Sequence, residues 1–360
     1  MTEPTVEAIL DKAVEGGRLS SDEALQLLES EDLLAIGQVA QKVARRRHPD
    51  GVVTYIVDRN VNYSNVCTVN CSFCAFYRTR GHREAYLLTR EEMYAKIDEL
   101  VSFDGRQVLM QGGLHPDLPL TFYEELLADL KARYPQVNLH AFSPPELVHI
   151  AEIEGLSLRE VLKRLRAVGL RSIPGGGAEI LVERVRQQIS PLKCTAAQWL
   201  EVMETAHALG LQTTATMMFG HVETLEDRVA HLMALRELQD RTGGFTAFIC
   251  WTFQPDNNPL GARLHFRRTT SHEYLKTMAV ARLVLDNVDN VQTSWVTQGE
   301  KVGQLSLLFG ANDFGGTMME ENVVSAAGTY HSVTEERIRA LIAELGLTPK
   351  RRTTFYEHLE

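Results

Sequence analysis

Residues 52–74 read VVTYIVDRNVNYSNVCTVNCSFC, an apolar run that passes into a polar segment and then into three closely spaced cysteines. The run at 52–57 has the length of a buried strand. Five further runs follow it, with amphipathic helical patterns between them and, after the first gap, a spacing of roughly 30–40 residues, the size of a βα unit. They lie at 107–110, 138–142, 170–173, 212–219 and 245–253. This alternation predicts an α/β fold with a parallel sheet, either doubly wound or closed into a barrel.

The segments on either side of this array divide the chain into three. Residues 1–51 have two helical patterns, one opening on a Ser20…Glu23 capping box and one over 31–47, and His48-Pro49-Asp50-Gly51 ends them. Residues 52–288 form the predicted barrel core, and 289–360 a C-terminal extension that closes the substrate side, with a further strand at 291–296. Four more capping signatures predict helix starts in the core: Thr89…Glu92, Thr121…Glu124, Thr224…Asp227 and Thr270…Glu273.

Composition excludes several classes of protein. Of 360 residues, 44% are hydrophobic and 23% charged, which is typical of a globular protein and not of a disordered one. No apolar run approaches the roughly 20 residues that cross a bilayer, and the acidic N-terminus has no signal-peptide pattern. A net charge of −10 argues against a nucleic-acid partner. We therefore expect a cytoplasmic enzyme that acts on a small molecule without binding membranes.

The five cysteines indicate a metal centre. Their number is odd and three of them, Cys67, Cys71 and Cys74, lie within eight residues, which does not fit a disulfide scaffold. Structural zinc needs four closed ligands, and the nearby His82 is a poor fourth one. In a four-iron cluster, three cysteines leave one iron open to a small chelating ligand. A zinc site and an iron–sulfur electron carrier remain alternatives, although a carrier would not need 360 residues.

The CxxxCxxC spacing after the first strand, with Phe73 before the last cysteine, resembles the radical S-adenosylmethionine (radical SAM) superfamily. The resemblance implies a full or partial (β/α) barrel of the TIM type. It also implies a [4Fe-4S] cluster held by Cys67, Cys71 and Cys74, with S-adenosylmethionine on the open iron. Reductive cleavage of that molecule yields a 5′-deoxyadenosyl radical, and the cleavage calls for an electron donor such as flavodoxin or ferredoxin.

The resemblance also implies which residues contact the cofactor. Gln111-Gly112-Gly113 stands where the family has a Gly-Gly-Glu-like turn at the methionine amino group, although this chain has Leu114 in place of the glutamate. Glu179 resembles the acidic residue that binds the ribose hydroxyls, and its alternative is a carboxylate at a helix N-terminus. The full set expected at the cofactor is Phe73, Gln111, Gly112, Gly113, Ser143, Glu179 and Met218. Cys194 and Cys250 are expected to be small buried hydrophobic residues.

Longer strings are similar to the subgroup of futalosine-pathway and deazaflavin enzymes. They lie at 58–78, 173–180 and 310–317. The flanks of the cysteines favour the menaquinone-pathway reaction that converts dehypoxanthine futalosine into its cyclic form. That reaction implies hydrogen abstraction at ribose C4′, radical addition to the benzoate ring and loss of an electron and a proton. Aminofutalosine synthase and the deazaflavin FO synthase subunit are the alternatives within the subgroup.

The reaction implied by the resemblance needs a base and a cation for the benzoate. The candidates for the base, all expected in loops at the rim of the sheet, are Tyr77, His115, His221, Asp256 and Asp313. Arg78 could bind the carboxylate bidentately, with Arg80 close behind it, and both could equally be solvated loop arginines. Asn312, Asp313 and Thr317 lie in a glycine-rich segment that we expect to be a loop contacting ribose or substrate.

Overall fold

The computed structural model describes residues 4–359, which contain ten strands and sixteen helices. The strands are β1 Val52–Ile56, β2 Asp58–Val61, β3 Gln107–Met110, β4 Asn138–Ala141, β5 Ser172–Ile173, β6 Gln212–Phe219, β7 Phe245–Thr252, β8 Asn290–Gln292, β9 Asp313–Gly316 and β10 Thr348–Arg351. The helices are α1 Val6–Val14, α2 Ser21–Glu29, α3 Leu33–Arg47, α4 Arg90–Ser102, α5 Leu120–Arg133, α6 Pro144–Glu154, α7 Leu158–Ala167, α8 Glu183–Ile189, α9 Ala196–Ala208, α10 Leu225–Thr242, α11 Pro259–Arg263, α12 Ser271–Val284, α13 Trp295–Gln298, α14 Glu300–Ser306, α15 Val323–Ala326 and α16 Glu335–Ala343.

The strands form one parallel sheet in the order β10-β1-β9-β8-β7-β6-β5-β4-β3-β2. Only Val57 separates β1 from β2 in the chain, yet β1 pairs with β9 and β10 while β2 pairs with β3. The segment of β1 and β2 therefore joins one end of the strand order to the strand next to the other end, and the sheet curls into a (β/α) barrel. This confirms the predicted fold class.

The predicted strands at 52–57, 107–110, 138–142, 170–173, 212–219 and 245–253 are all present, some of them shorter. The strand expected at 291–296 covers only β8, because Trp295 begins helix α13. The sequence did not predict β9 and β10. Both are short and carry glycine, proline or charged residues, and pairing with β1 defines them as strands.

Four of the five predicted helix caps are present. The predicted caps at Ser20, Thr89, Thr224 and Thr270 are confirmed by hydrogen bonds to the third residue of each helix. The prediction at Thr121 was wrong, because α5 begins at Leu120 after Pro119. The Leu120 amide donates to the Glu154 carboxylate at 2.8 Å, so a neighbouring helix replaces the local cap. Within residues 4–359, no helix is both long and apolar enough to span a membrane.

Candidate active site

The three cysteines lie in the loop between β2 and α4, which follows the C-terminal end of a barrel strand. Hydrogen bonds fix this loop at several points: the Cys67 amide donates to the Arg78 carbonyl at 3.0 Å, and the Cys74 amide to the Cys71 carbonyl at 3.1 Å. The Ser72 amide donates to the Ile189 carbonyl at 2.9 Å. The loop is thus tied both to itself and to the end of α8. In parallel barrels this rim is where active sites form.

The thiols are held away from solvent. Cys71 is buried, whereas Cys67 and Cys74 are half-buried. Burial raises the pKa of Cys71 to about 12, so a metal must displace its proton on binding. Within residues 4–359, no three His, Cys, Asp or Glu side chains are grouped to hold a single metal ion. In a four-iron cluster each cysteine binds a different iron.

A buried ion pair lies beside the cysteines. The Lys193 ammonium donates to one Glu179 carboxylate oxygen at 2.7 Å and lies 5.2 Å from the centre of the Phe73 ring. Burial lowers the pKa of Lys193, but the charges of Cys71 and Glu179 outweigh burial and raise it overall. The Met218 amide donates to the Glu179 backbone carbonyl at 2.9 Å. The structure therefore brings together Phe73, Glu179 and Met218, three of the residues predicted at the cofactor.

A second buried carboxylate positions the Gln111-Gly112-Gly113 turn. One oxygen of Glu146 accepts from the Gly112 amide at 3.0 Å and from the Tyr63 hydroxyl at 2.7 Å. The other accepts from the Ser143 amide at 2.8 Å. Burial raises the pKa of Glu146. Ser143 thus contributes through Glu146, a residue that the sequence analysis did not select.

A cavity of about 270 Å³ runs from this rim into the barrel. Alternate residues of one continuous segment line it, namely Ile56, Asp58, Asn60 and Asn62, as the two-residue period of a strand requires. Apolar walls come from Leu109, Ile249, Trp251 and Trp295, and the C-terminal segment after β10 lines it with Arg352, Thr354 and Tyr356. The cavity is mostly apolar with a few polar groups, as is typical of a small-molecule site.

The five residues proposed as the base lie elsewhere; within residues 4–359, none of them lines this cavity. Tyr77 lies beside the cysteines, and burial raises its pKa. His115 is in a surface loop, where its Nδ1 accepts from the Asp117 amide at 3.2 Å. His221 is buried, and its Nε2 lies 3.1 Å from the Met218 carbonyl oxygen. Asp256 forms a salt bridge with Arg268.

Asp313 does not lie in a loop, contrary to our expectation, and Asn312 and Thr317 directly flank its strand, β9. Asp313 begins β9 and is fully buried, and its carboxylate accepts from the Arg352 guanidinium and the Thr54 hydroxyl. Asn312 accepts from the Val291 amide at 2.9 Å. Thr317 donates to the Asp58 carbonyl at 2.9 Å. Through these bonds the three side chains connect β9 and the residues beside it to β1, β8 and β2.

Arg78 is already engaged within its own loop. One of its terminal nitrogens donates to the carbonyl oxygens of Ala75, Phe76 and Tyr77 at 3.0, 3.3 and 2.9 Å. Its Nε donates to Glu84 at 2.9 Å. Arg80 is 73% exposed and pairs with Asp117 at 3.1 Å. Arg78 therefore braces the segment after Cys74, and Arg80 faces solvent.

The remaining cysteines are buried outside the loop, and burial raises the pKa of Cys250 to about 12 and that of Cys194 to about 11. Sequence reasoning missed three residues of the rim and cavity: Lys193, Glu146 and Asp58. Glu146 had a signal, since Ser-Pro-Pro-Glu follows a strand as a capping box. Asp58 had a weaker signal, because it continues the pattern in which every second residue of β1 faces the inside of the barrel. For Lys193 the sequence has no signal.

Comparison with known proteins decides the family. The profile of the radical SAM superfamily matches residues 61–235, and the profile called CofH/MqnC C-terminal region matches 242–360. Cyclic dehypoxanthine futalosine synthase of Halalkalibacterium halodurans is 47% identical over 98% of this chain and 95% of its own length. The chain belongs to the radical SAM superfamily. Radical SAM enzymes use a [4Fe-4S] cluster and S-adenosylmethionine, so this chain is an enzyme of that chemistry.

Other relatives of this radical SAM enzyme carry two different names. The protein named cyclic dehypoxanthine futalosine synthase in Streptomyces coelicolor is 45% identical over all of this chain and 90% of its own. The protein of Methanococcoides burtonii that is 40% identical, over 95% of this chain and 96% of its own, is named 5-amino-6-(D-ribitylamino)uracil–L-tyrosine 4-hydroxyphenyl transferase. These relatives therefore share one family, and their names give two different reactions.

Solved structures of radical SAM enzymes share the fold. Methylornithine synthase superimposes with a TM-score of 0.73 at 19% identity, covering 95% of this chain and 97% of that one. The FeFe-hydrogenase maturase HydG from Carboxydothermus hydrogenoformans gives 0.76 at 17%, covering 98% and 80%. Both likenesses concern the fold alone.

The residues at the rim fit the two cofactors. One carboxylate oxygen of Glu179 is buried and lacks a hydrogen-bond partner among residues 4–359, which suits a ligand hydroxyl. A side chain at Gly113 would place its Cβ 2.2 Å from the Val66 carbonyl oxygen, so glycine lets the two loops meet next to Cys67. Cys67, Cys71 and Cys74 would hold the cluster, and Glu179 the ribose of S-adenosylmethionine.

Proposed function

We propose that this radical SAM enzyme converts dehypoxanthine futalosine into cyclic dehypoxanthine futalosine in the route to menaquinone. The observation that carries this is the identity of 47% and 45%, over nearly the whole chain, to two proteins with that name. The cavity also supports the proposal, because its mostly apolar walls, with two tryptophans, suit a benzoate joined to a sugar. The electron donor is a small redox protein such as flavodoxin or ferredoxin.

Once bound, the cluster and S-adenosylmethionine supply the 5′-deoxyadenosyl radical that abstracts hydrogen. The residues of the chain itself orient the cofactor and shield the substrate from water. Glu179 accepts a ribose hydroxyl of the cofactor through its unpartnered oxygen, and Glu146 fixes the Gly112 turn against it. Trp251 and Trp295 line the cavity and keep water from the substrate. In the substrate, ribose C4′ loses its hydrogen and bonds to the benzoate ring, and an electron and a proton then leave.

The second candidate is the tyrosine hydroxyphenyl transferase activity, because several archaeal relatives near 40% identity carry that name. The two candidates need different substrates, so a single assay separates them. Protein with its cluster reconstituted is incubated anaerobically with S-adenosylmethionine, dithionite and one of the two substrate sets. The masses of the products are then measured by mass spectrometry.

With dehypoxanthine futalosine deuterated at C4′, we expect deuterium in 5′-deoxyadenosine and a product of the cyclised mass. Turnover of tyrosine with 5-amino-6-(D-ribitylamino)uracil, and none of the futalosine, would reverse the assignment. Retention of the adenosyl group in the product would instead indicate aminofutalosine synthase chemistry. The same assay with Cys71→Ala should give no 5′-deoxyadenosine.

A further inference from the structure

The proposed reaction releases a proton, and the cavity holds five titratable side chains among residues 4–359. They are Asp58, His140, Glu321, Arg352 and Tyr356. Their hydrogen bonds show which of them could accept a proton. A base needs a free acceptor that faces the substrate.

Four of the five are unsuited to accept a proton. Glu321 accepts from three amides, those of Val323, Val324 and Ser325, each within 2.9 Å, which leaves only one of about four acceptor positions. Arg352 is a cation bonded to Asp313. The remaining two, His140 and Tyr356, are unsuited because their pKa values are shifted in opposite directions. Burial lowers the pKa of His140 to about 3, and burial raises that of Tyr356, so the imidazole is a poor base and the phenol stays protonated.

Asp58 differs from the other four in the number of hydrogen-bond acceptor positions that its carboxylate has left unused. Its carboxylate accepts from the Met318 amide at 2.8 Å and from the Gln107 side-chain nitrogen at 3.2 Å. A carboxylate offers about four acceptor positions, so two remain. The side chain is 98% buried, since the residue is 2% exposed, and it lines the cavity. Those two positions are therefore open to a ligand and not to bulk water.

The position of Asp58 is rigid. It begins β2, and a Cβ on Gly316 would lie 2.1 Å from its Oδ1, so only glycine there lets β9 close on the carboxylate. Asn60 and Asn62 lie one and two inward-facing steps nearer the rim on the same segment. A substrate with its ribose beneath the rim would extend its ring toward Asp58.

We propose that Asp58 is the catalytic base that takes the proton from the benzoate ring after cyclisation. This inference rests on the proposed function. When C4′ has bonded to the ring, the ring carbon's C–H bond breaks and its electron pair returns to the ring. The proton goes to the Asp58 carboxylate, and one electron goes to a one-electron acceptor of the oxidised iron–sulfur class. The ring regains six π electrons, so atoms and charge balance.

The charges around Asp58 suit this role. Burial raises the pKa of its carboxyl to about 6, while the nearby Arg352 lowers it and Asp313 raises it. The other titratable groups of the cavity are His140 and Tyr356, which stay neutral, and Glu321 at the rim. A base with a pKa near the working pH can take up a proton and release it again.

The test compares Asp58→Asn with Asp289→Asn, whose carboxylate is 84% exposed and lies outside the cavity. Each protein receives futalosine substrate deuterated at C4′, and the measured quantity is cyclic product formed per labelled 5′-deoxyadenosine. This ratio does not depend on how much protein is folded. We expect Asp58→Asn to form labelled 5′-deoxyadenosine while the ratio falls at least about ten-fold, with a substrate radical visible by electron paramagnetic resonance. Asp289→Asn should keep the wild-type ratio.

A wild-type ratio in Asp58→Asn would overturn the inference. Absence of label transfer in the wild type would instead contradict the proposed function. Should Asp58→Asn fail to fold, the wild type still provides the test. Its ratio should fall as pH drops below about 6, since a protonated Asp58 accepts nothing, and a constant ratio from about pH 8 to pH 5 would refute the role.

Discussion

At the scale of single residues, the ion pair of Lys193 and Glu179 is buried on both sides. The two side chains are 12% and 4% exposed, and Lys193 is the only basic partner of that carboxylate among residues 4–359. Removing one member of a buried pair leaves the other charge uncompensated, which costs far more than the pair contributes.

We therefore predict that Lys193→Met lowers the free energy of unfolding by roughly 3–5 kcal/mol. Urea denaturation of the apoprotein measures this. The double variant Lys193→Met/Glu179→Leu should recover most of the loss, because it leaves no isolated charge. A loss below about 1 kcal/mol in the single variant would mean that solvent reaches the pair.

Glycine has a specific role at two positions of the site. Gly113 and Gly316 each lie where a Cβ would come within 2.2 Å of another residue's oxygen, on Val66 and Asp58 respectively. Close approach of the Val66 backbone at Gly113 and of the Asp58 side chain at Gly316, and not turn geometry, requires them. The sequence gives the positions of the glycines, but only the structure gives the atoms that they approach.

At the scale of elements, the loop after Cys74 depends on Arg78. Its guanidinium binds three consecutive carbonyls, which holds that backbone in a tight curve around the side chain. Since the Cys67 amide also bonds to the Arg78 carbonyl, the same residue connects both ends of the cysteine segment.

We predict that Arg78→Ala lowers the iron and sulfide bound per chain after anaerobic reconstitution by at least about two-fold, because the thiolates lose their arrangement. Arg78→Lys should lose nearly as much, since an ammonium cannot replace a planar guanidinium on three carbonyls. Arg80→Ala, two residues on and 73% exposed, is the control and should keep full iron content. Full iron content with weakened futalosine binding in Arg78→Ala would instead support its predicted role as a carboxylate clamp.

At the scale of the whole molecule, buried histidines link stability to pH. His231 on α10 is fully buried, and its Nδ1 accepts from the Leu181 amide at 2.9 Å. Burial lowers its pKa from 6.5 to about 3. The unfolded chain therefore takes up a proton at a higher pH than the folded one does. The stability due to the neutral ring is complete above about pH 6.5 and is lost as pH falls toward 3.

We predict that the stability of the wild type relative to His231→Gln falls by about 1.4 kcal/mol for each pH unit below 6. Urea unfolding at pH 7, 6 and 5 measures it. The exposed His272 provides the control, and His272→Gln should follow the wild type at every pH. A constant difference between wild type and His231→Gln would show that the ring takes up its proton over the same pH range in the folded and the unfolded protein.

The sequence by itself determined the features that depend on neighbours in the chain. A cysteine spacing sets which thiolates can reach one cluster, and apolar runs of strand length set where the sheet lies. Six of the strands and four of the helix caps follow from such local patterns. The same cysteine motif also identified the superfamily.

Only the tertiary structure decided which polar groups face the substrate. Asp58 bonds to Thr317, 259 residues away, and Asp313 to Arg352, because the segment of β1 and β2 closes the barrel against the C-terminal strands. Closure turned a predicted substrate loop into a bracing strand and brought Asp58 into the cavity. Lys193 and Glu179 are only 14 residues apart, but it is the path of the chain through α8 that brings their side chains together. The physical reason is that hydrogen bonds and ion pairs act over a few ångströms in space, whatever the distance along the chain.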